Sequence, residues 1–289
     1  YPLIDGVVNG CPSHLLEPQR LQKIQYSEDF SQGYWSVVRA NINPNQAISP
    51  NGTLTADLLT ITDTSENYAQ TNVSITVSGA IQTVSCFVKK GTNDFAHILL
   101  WDTASNGSRQ WFDVNNGTVG SSAIFGSGIS VDSASIENYG NGWFRCIVVF
   151  NCSLTSVRTR ISASNGDGQT NGTIGKTIFI WGYQLESNSS YATSYIPNYG
   201  TAAGVTRSAE TANGAGDAST FNDSEGVLFA EISALDNDGR ISLNNGTTSR
   251  NVRFVYNANA NRIDGIVYNG VNQASFIYVL PTQGSFNNK

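Results

Sequence analysis

Short apolar or alternating runs of strand length recur along the chain, with turn-forming residues between them. Runs at 81–89, 95–101, 110–114, 143–150, 177–185, 226–232, 252–256 and 274–280 fit strands whose side chains point to opposite faces in turn. Asn-Gly dipeptides begin at Asn9, Asn51, Asn106, Asn116, Asn141, Asn165, Asn171, Asn213, Asn245 and Asn269. Such a pair supplies the two positive-φ residues that a type I′ hairpin turn requires. No segment carries a 3.6-residue apolar stripe over three turns, and the best helical candidate, 54–59, is short. The pattern predicts an all-β chain with the strand spacing of a sandwich or jelly roll.

Residues 201–220 are rich in Ala, Gly, Ser and Thr and nearly free of large apolar side chains, which predicts a linker between two domains. The expected organisation is an arm or the end of a preceding module over 1–22 and a sandwich over 23–205. A linker over 206–220 then leads to a second domain over 221–289. That second domain has room for about five strands and no closing element, so it reads as half a sandwich with an open sheet edge. A continuing chain or a neighbouring subunit would complete it. Tyr1 stands where an unprocessed product would carry Met, which predicts a piece of something longer.

Charge changes the picture by its scarcity. Charged residues make up 13% of the 289 residues, about half of the roughly 25% usual in soluble proteins. The polar surface must come from Asn, Ser, Thr, Gln and Gly, which suits a protein working outside a cell or in a particle. A net charge of −6 without a Lys/Arg run speaks against a nucleic-acid partner. No apolar stretch approaches the roughly 18 residues of a membrane helix, so no membrane partner is expected. Cys86 and Cys146 sit inside apolar runs and are expected as free, buried thiols. Neither a Cys/His cluster nor a CxxC motif points to zinc.

Candidate chemistry is sparse. Gly175-Lys176-Thr177 lacks the preceding Gly of a phosphate loop and leads into a strand, so no phosphate cradle is expected. Asp236-Asn237-Asp238-Gly239 and Asn165-Gly166-Asp167-Gly168 resemble fragments of calcium loops, but both lack the downstream Glu. No cofactor is expected, and a structural calcium ion has no supporting motif. Alternation puts Phe95, His97, Leu99 and Trp101 on one face of a strand and Arg109, Trp111 and Asp113 on one face of the next. Residues 102–108 fit a hairpin connection, which would make Trp101 and Trp111 cross-strand neighbours. Trp101, Trp111, Arg109, His97 and Asp113 are therefore the candidate glycan-binding residues. An aromatic face stacks on sugar C–H groups while polar groups fix the hydroxyls. The alternative is that both tryptophans lie in the sandwich core. Asp94, Asp102 and Asp113 lie at hairpin ends, where carboxylates are usually solvated turn residues rather than the pair a glycosidase needs.

Several segments, in order, carry a resemblance. They are Cys11-Pro12-Ser13, Leu15-Leu16-Glu17-Pro18-Gln19-Arg20, Tyr26-Ser27-Glu28-Asp29-Phe30 with Trp35, and Ser49-Pro50-Asn51-Gly52-Thr53 with Ala56-Asp57. Asn141-Gly142-Trp143-Phe144-Arg145, Trp181-Gly182-Tyr183-Gln184-Leu185-Glu186, Thr193-Ser194-Tyr195-Ile196-Pro197 and Thr206-Arg207 follow. This set resembles a module of tailed-bacteriophage structural proteins that is similar to the jelly-roll carbohydrate-binding modules. The stretch from Phe221, with Glu225-Gly226-Val227-Leu228-Phe229-Ala230-Glu231, resembles the start of a concanavalin A/laminin-G-like sandwich. The chain departs from the pattern at His14, at Leu21-Gln22-Lys23 and at Asn198.

The resemblance implies an all-β chain, with a jelly-roll β-sandwich followed by a second, partial concanavalin A-like β-sandwich. It also implies a non-enzymatic virion protein of a fibre or appendage, a homotrimer with other virion proteins and host surface polysaccharide as partners. The alternatives are a purely structural capsid decoration or fibre shaft, and an accessory glycan-binding part of a secreted polysaccharide-degrading enzyme.

Overall fold

The computed structural model describes residues 3–4, 7–8, 17–210, 240–244, 249–257 and 262–279. The chain divides into two compact units, Tyr1–Thr211 and Ala212–Lys289. Every regular element among the described residues is a β-strand, and every pairing is antiparallel.

In chain order the strands are β1 (Leu3–Ile4), β2 (Val7–Val8), β3 (Arg20–Gln22), β4 (Trp35–Val38), β5 (Ala40–Ile48), β6 (Leu54–Ile61) and β7 (Tyr68–Thr71). Next come β8 (Ile75–Thr76), β9 (Ile81–Lys90), β10 (Phe95–Trp101), β11 (Gly107–Asp113), β12 (Thr118–Phe125), β13 (Ile129–Gly140) and β14 (Trp143–Cys152). β15 (Ser156–Ser164), β16 (Thr177–Ser187) and β17 (Val205–Arg207) complete the first unit. β18 (Arg240–Asn244), β19 (Arg250–Asn257), β20 (Arg262–Asn269) and β21 (Asn272–Val279) form the second.

Two sheets make the sandwich of the first unit. One runs β12-β11-β10-β15-β7-β4, with β8 added beside β15. The other runs β13-β14-β9-β16-β3-β17, with β6 also paired to β16 and β5 to β6. Inward residues alternate along each strand, as a half-buried sheet demands. Ala96, Ile98, Leu100 and Phe112 from the first sheet share one buried cluster with Val84, Cys86, Val88, Val148 and Ile180 from the second. Cys86 and Cys146 stand directly opposite each other on β9 and β14 as free, buried thiols, as expected. A second cluster on the other side of β9 and β16 packs Phe87, Trp143 and Trp181 with Tyr195. The second unit is one antiparallel sheet in the order β18-β19-β20-β21, and β21 is exposed along its whole length.

The structure differs from the expected boundaries at both ends of the first sandwich. Residues 20–22 are no arm, because β3 pairs with β16 and β17. Gln22 is fully buried, its amide donating to the Tyr183 carbonyl and accepting from the Ile24 and Leu185 amides. Three backbone groups inside the protein depend on that side chain, so the sandwich includes it. Thr206 and Arg207, expected in the linker, pair with Leu21 and Arg20 in β17. The 54–59 run is part of strand β6. Among the described Asn-Gly pairs, Asn141-Gly142 alone has both residues at positive φ, 53° and 79°, as a type I′ turn requires. The expected 226–232 strand, Asp236–Gly239, Cys11 and His14 lie outside the described residues.

Candidate functional site

The outer face of the β12-β11-β10-β15-β7-β4 sheet carries the candidate residues. Register places Phe95 opposite Asp113, His97 opposite Trp111 and Leu99 opposite Arg109, so all seven residues of the expected face do share one side. On the other flank of β10, Trp101 faces Arg158, Leu99 faces Arg160 and His97 faces Ser162. The core-facing partners Val157, Thr159 and Ile161 alternate with these arginines, which fixes the direction in which the arginines point.

Trp101 and Trp111 are not cross-strand neighbours, contrary to the expectation. β11 begins at Gly107, which pairs with Trp101. Trp111 lies four residues further along the strand, about 13 Å away at the usual rise.

Glu66, in the connection between β6 and β7, is the hub of the face. Its Oε1 lies 3.1 Å from Arg109 Nη1, 3.4 Å from Arg160 Nη1 and 3.4 Å from His97 Nε2. Burial alone would raise the Glu66 pKa. The His97 contact and the charges of Arg109 and Arg160 outweigh it and hold the carboxyl at about 2. Arg160 is clamped flat, its guanidinium carbon 4.0 Å from the Tyr68 ring centroid and 4.7 Å from that of Trp101. Gln70 Oε1 accepts from both Arg160 Nε at 3.1 Å and Trp101 Nε1 at 3.0 Å. The Trp101 indole, half-buried, is thereby locked in place beside the guanidinium. Arg109 lies over the rings of Trp111 and Phe125.

Three candidate residues do not stand as expected. Trp111 is only 2% exposed, and its Nε1 donates to the Gln169 carbonyl at 2.6 Å. It therefore offers no open stacking surface, and its burial lies outside the sandwich core, on the opposite side of the sheet. His97 is fully buried beside it, with ring centroids 5.4 Å apart. Burial pushes its pKa below the ordinary 6.5 more strongly than Glu66 raises it, so the ring is neutral at pH 7. Neither ring nitrogen makes a hydrogen bond among the described residues. Asp113 is a turn residue at the far end of β11: its carboxylate accepts from the amides of Asn115 and Asn116 and from the Asn116 side chain. Trp101, Arg109 and Asp113 are the part-exposed candidates, and Asp113 is taken up by its turn.

The remaining carboxylates have local partners. Asp102 Oδ1 accepts from the amides of Ala104, Ser105 and Asn106, and Asp94 pairs with Lys90. Asp167, in one of the calcium-like fragments, accepts from Ser121. Among the described residues no group of three or more His, Cys, Asp or Glu side chains is placed to hold a metal ion.

Glu66, Tyr68, Gln70, Arg158 and Arg160 escaped the sequence reading. Arg158 and Arg160 did leave a signal, two cations two residues apart in an alternating run. Glu66, in a polar connection, left none.

No protein-family model and no curated protein matches the chain. Among solved structures it is similar to the CBM22-1–GH10 modules of endo-1,4-β-D-xylanase 10B of Clostridium thermocellum, complexed with xylohexaose. That similarity has 13% identity and a TM-score of 0.31, covering 61% of this chain and 30% of that one. It is also similar to a candidate sugar-binding protein of Bacteroides thetaiotaomicron, with 10% identity and a TM-score of 0.33, covering 58% of this chain and 95% of that one.

Proposed function

We propose that the first sandwich is a non-catalytic glycan-binding domain that uses the outer face of the β10-β15 region. The observation that carries this reading is the locked, half-buried Trp101 beside Arg158, Arg160 and Gln70. A preorganised aromatic ring set among hydrogen-bond donors is the combination that recognises a sugar, because the ring packs on C–H groups and the donors orient hydroxyls. The wider setting is a homotrimeric fibre or appendage of a tailed-phage particle, in contact with other virion proteins and with host surface polysaccharide. That setting rests on the segment resemblance alone. Many copies on one particle would multiply a weak single-site affinity.

A purely structural role is the second reading, and the burial of Trp111 and His97 with the inward ion pairing of Glu66 favours it. One experiment separates the two: binding of wild type, Trp101→Ala and Trp111→Ala to host cells and their extracted polysaccharide, with circular dichroism on each. Saturable binding lost in folded Trp101→Ala supports the glycan reading. Well-folded wild type that binds neither cells nor polysaccharide supports the structural one.

A further inference from the structure

Three arginines, Arg109, Arg158 and Arg160, lie on this face, and two of them are held against the Glu66 carboxylate. Arg109 and Arg160 both approach Glu66 Oε1, and the buried His97 adds no charge at neutral pH. Arg158, directly opposite Trp101 on β15, has no hydrogen-bond or ion-pair partner among the described residues, and its Nε is buried. Asp102 and Asp113 accept from turn amides and Asp167 from Ser121, and none of the three pairs with Arg158. Among the described residues Arg158 is thus a guanidinium with no paired carboxylate, in a chain of net charge −6.

We propose that this face selects acidic saccharides, chains bearing carboxylate or sulfate groups, with Arg158 taking the anion and Trp101 packing on the adjoining sugar ring. The inference rests on the glycan-binding reading. A guanidinium presents a planar fork of donors that matches a carboxylate or sulfate in two parallel hydrogen bonds. A partly buried guanidinium without a counter-charge gains more from an anion than from a hydroxyl, because the anion also offsets its lost hydration. Arg109 and Arg160 are already held by Glu66, Gln70 and the aromatic rings, which leaves Arg158 as the free cation. Cross-strand neighbours hold their Cβ atoms about 5 Å apart, so one sugar residue and its acidic substituent can span Trp101 and Arg158.

The test compares two matched pairs of polymers on the full chain: polygalacturonate against its methyl ester, and dextran sulfate against dextran. The first pair reads carboxylate and the second sulfate, each with the backbone held constant. Binding of at least one acidic polymer tenfold or more tighter than its neutral partner, weakening with added salt, is the expected result. Arg158→Gln should then lose at least tenfold for that polymer, while Lys89→Gln, which removes one positive charge from β9 of the other sheet, should not. Equal binding of acidic and neutral partners, or an Arg158→Gln variant that keeps the preference, overturns the acidic selectivity and leaves the glycan reading standing. Absence of binding to all four polymers by folded protein counts against both.

Discussion

The Glu66 carboxylate lies 3.1 Å from the Arg109 guanidinium across 43 residues of chain, joining the β6–β7 connection to the outer face of β11. Its carboxyl is held at about 2, below an unfolded value near 4.5. The interaction therefore stabilises the fold above about pH 4.5 and is lost as pH falls toward 2, a change of about 3 kcal/mol. The melting-temperature gap between wild type and Glu66→Gln should be widest at pH 5–7 and close toward pH 2. A gap independent of pH would mean that the carboxylate charge contributes nothing.

Asp57 should act in the opposite sense. Burial pushes its carboxyl up to about 6, although the Phe30 and Asn45 amides donate to it. Between an unfolded value near 3.8 and 6 the native state binds the extra proton, so stability falls as pH rises through that window, by about 3 kcal/mol. Thermal melts across pH 4–7 should show this decline in wild type and lack it in Asp57→Asn. Combined with Glu66, the two effects place a stability maximum for wild type near pH 4–5.

The two tryptophans of the candidate face should separate in their stability effects. Trp111→Ala empties a covered site and strands the Gln169 carbonyl, which should cost about 3–5 kcal/mol. Trp101→Ala removes a half-buried ring and should cost about 1–2 kcal/mol. Urea denaturation measures both, and equal costs would mean that Trp101 is as much a packing residue as Trp111.

Gly182 interrupts the register of β16 with β9. Its φ is +61°, and an added Cβ would stand 2.9 Å from Phe87 Cδ2. Gly182→Ala should cost about 2 kcal/mol or more, combining left-handed backbone strain with a displaced ring. Gly142→Ala has a similar positive φ but nothing closer than 3.5 Å, so it should cost only about 1 kcal/mol. Urea midpoints in the reverse order would remove the packing part of the argument.

Legibility in the sequence followed the range of the interactions. β10 appears with its full extent in the pattern of residues 95–101, because its alternation continues unbroken into the core. β12 and β13 escaped notice, since most of their residues are exposed or half-buried and their apolar residues alternate with small polar ones without a strong contrast. The Asn-Gly pairs marked many of the connections but not their geometry, because several lie in loops whose conformation is set by side-chain caps such as Asp102 and Asp113.

By itself, then, the sequence determined the all-β class and the shared face of His97, Leu99, Trp101, Arg109 and Trp111, because strand alternation is local and has a period of two. Only the tertiary structure decided which of those residues reach the surface. The Gln169 carbonyl's contact with Trp111 and the arrival of Glu66 beside Arg109 and Arg160 depend on strand order and loop paths. Those are contacts between distant parts of the chain, chosen by packing and charge pairing that no local pattern encodes.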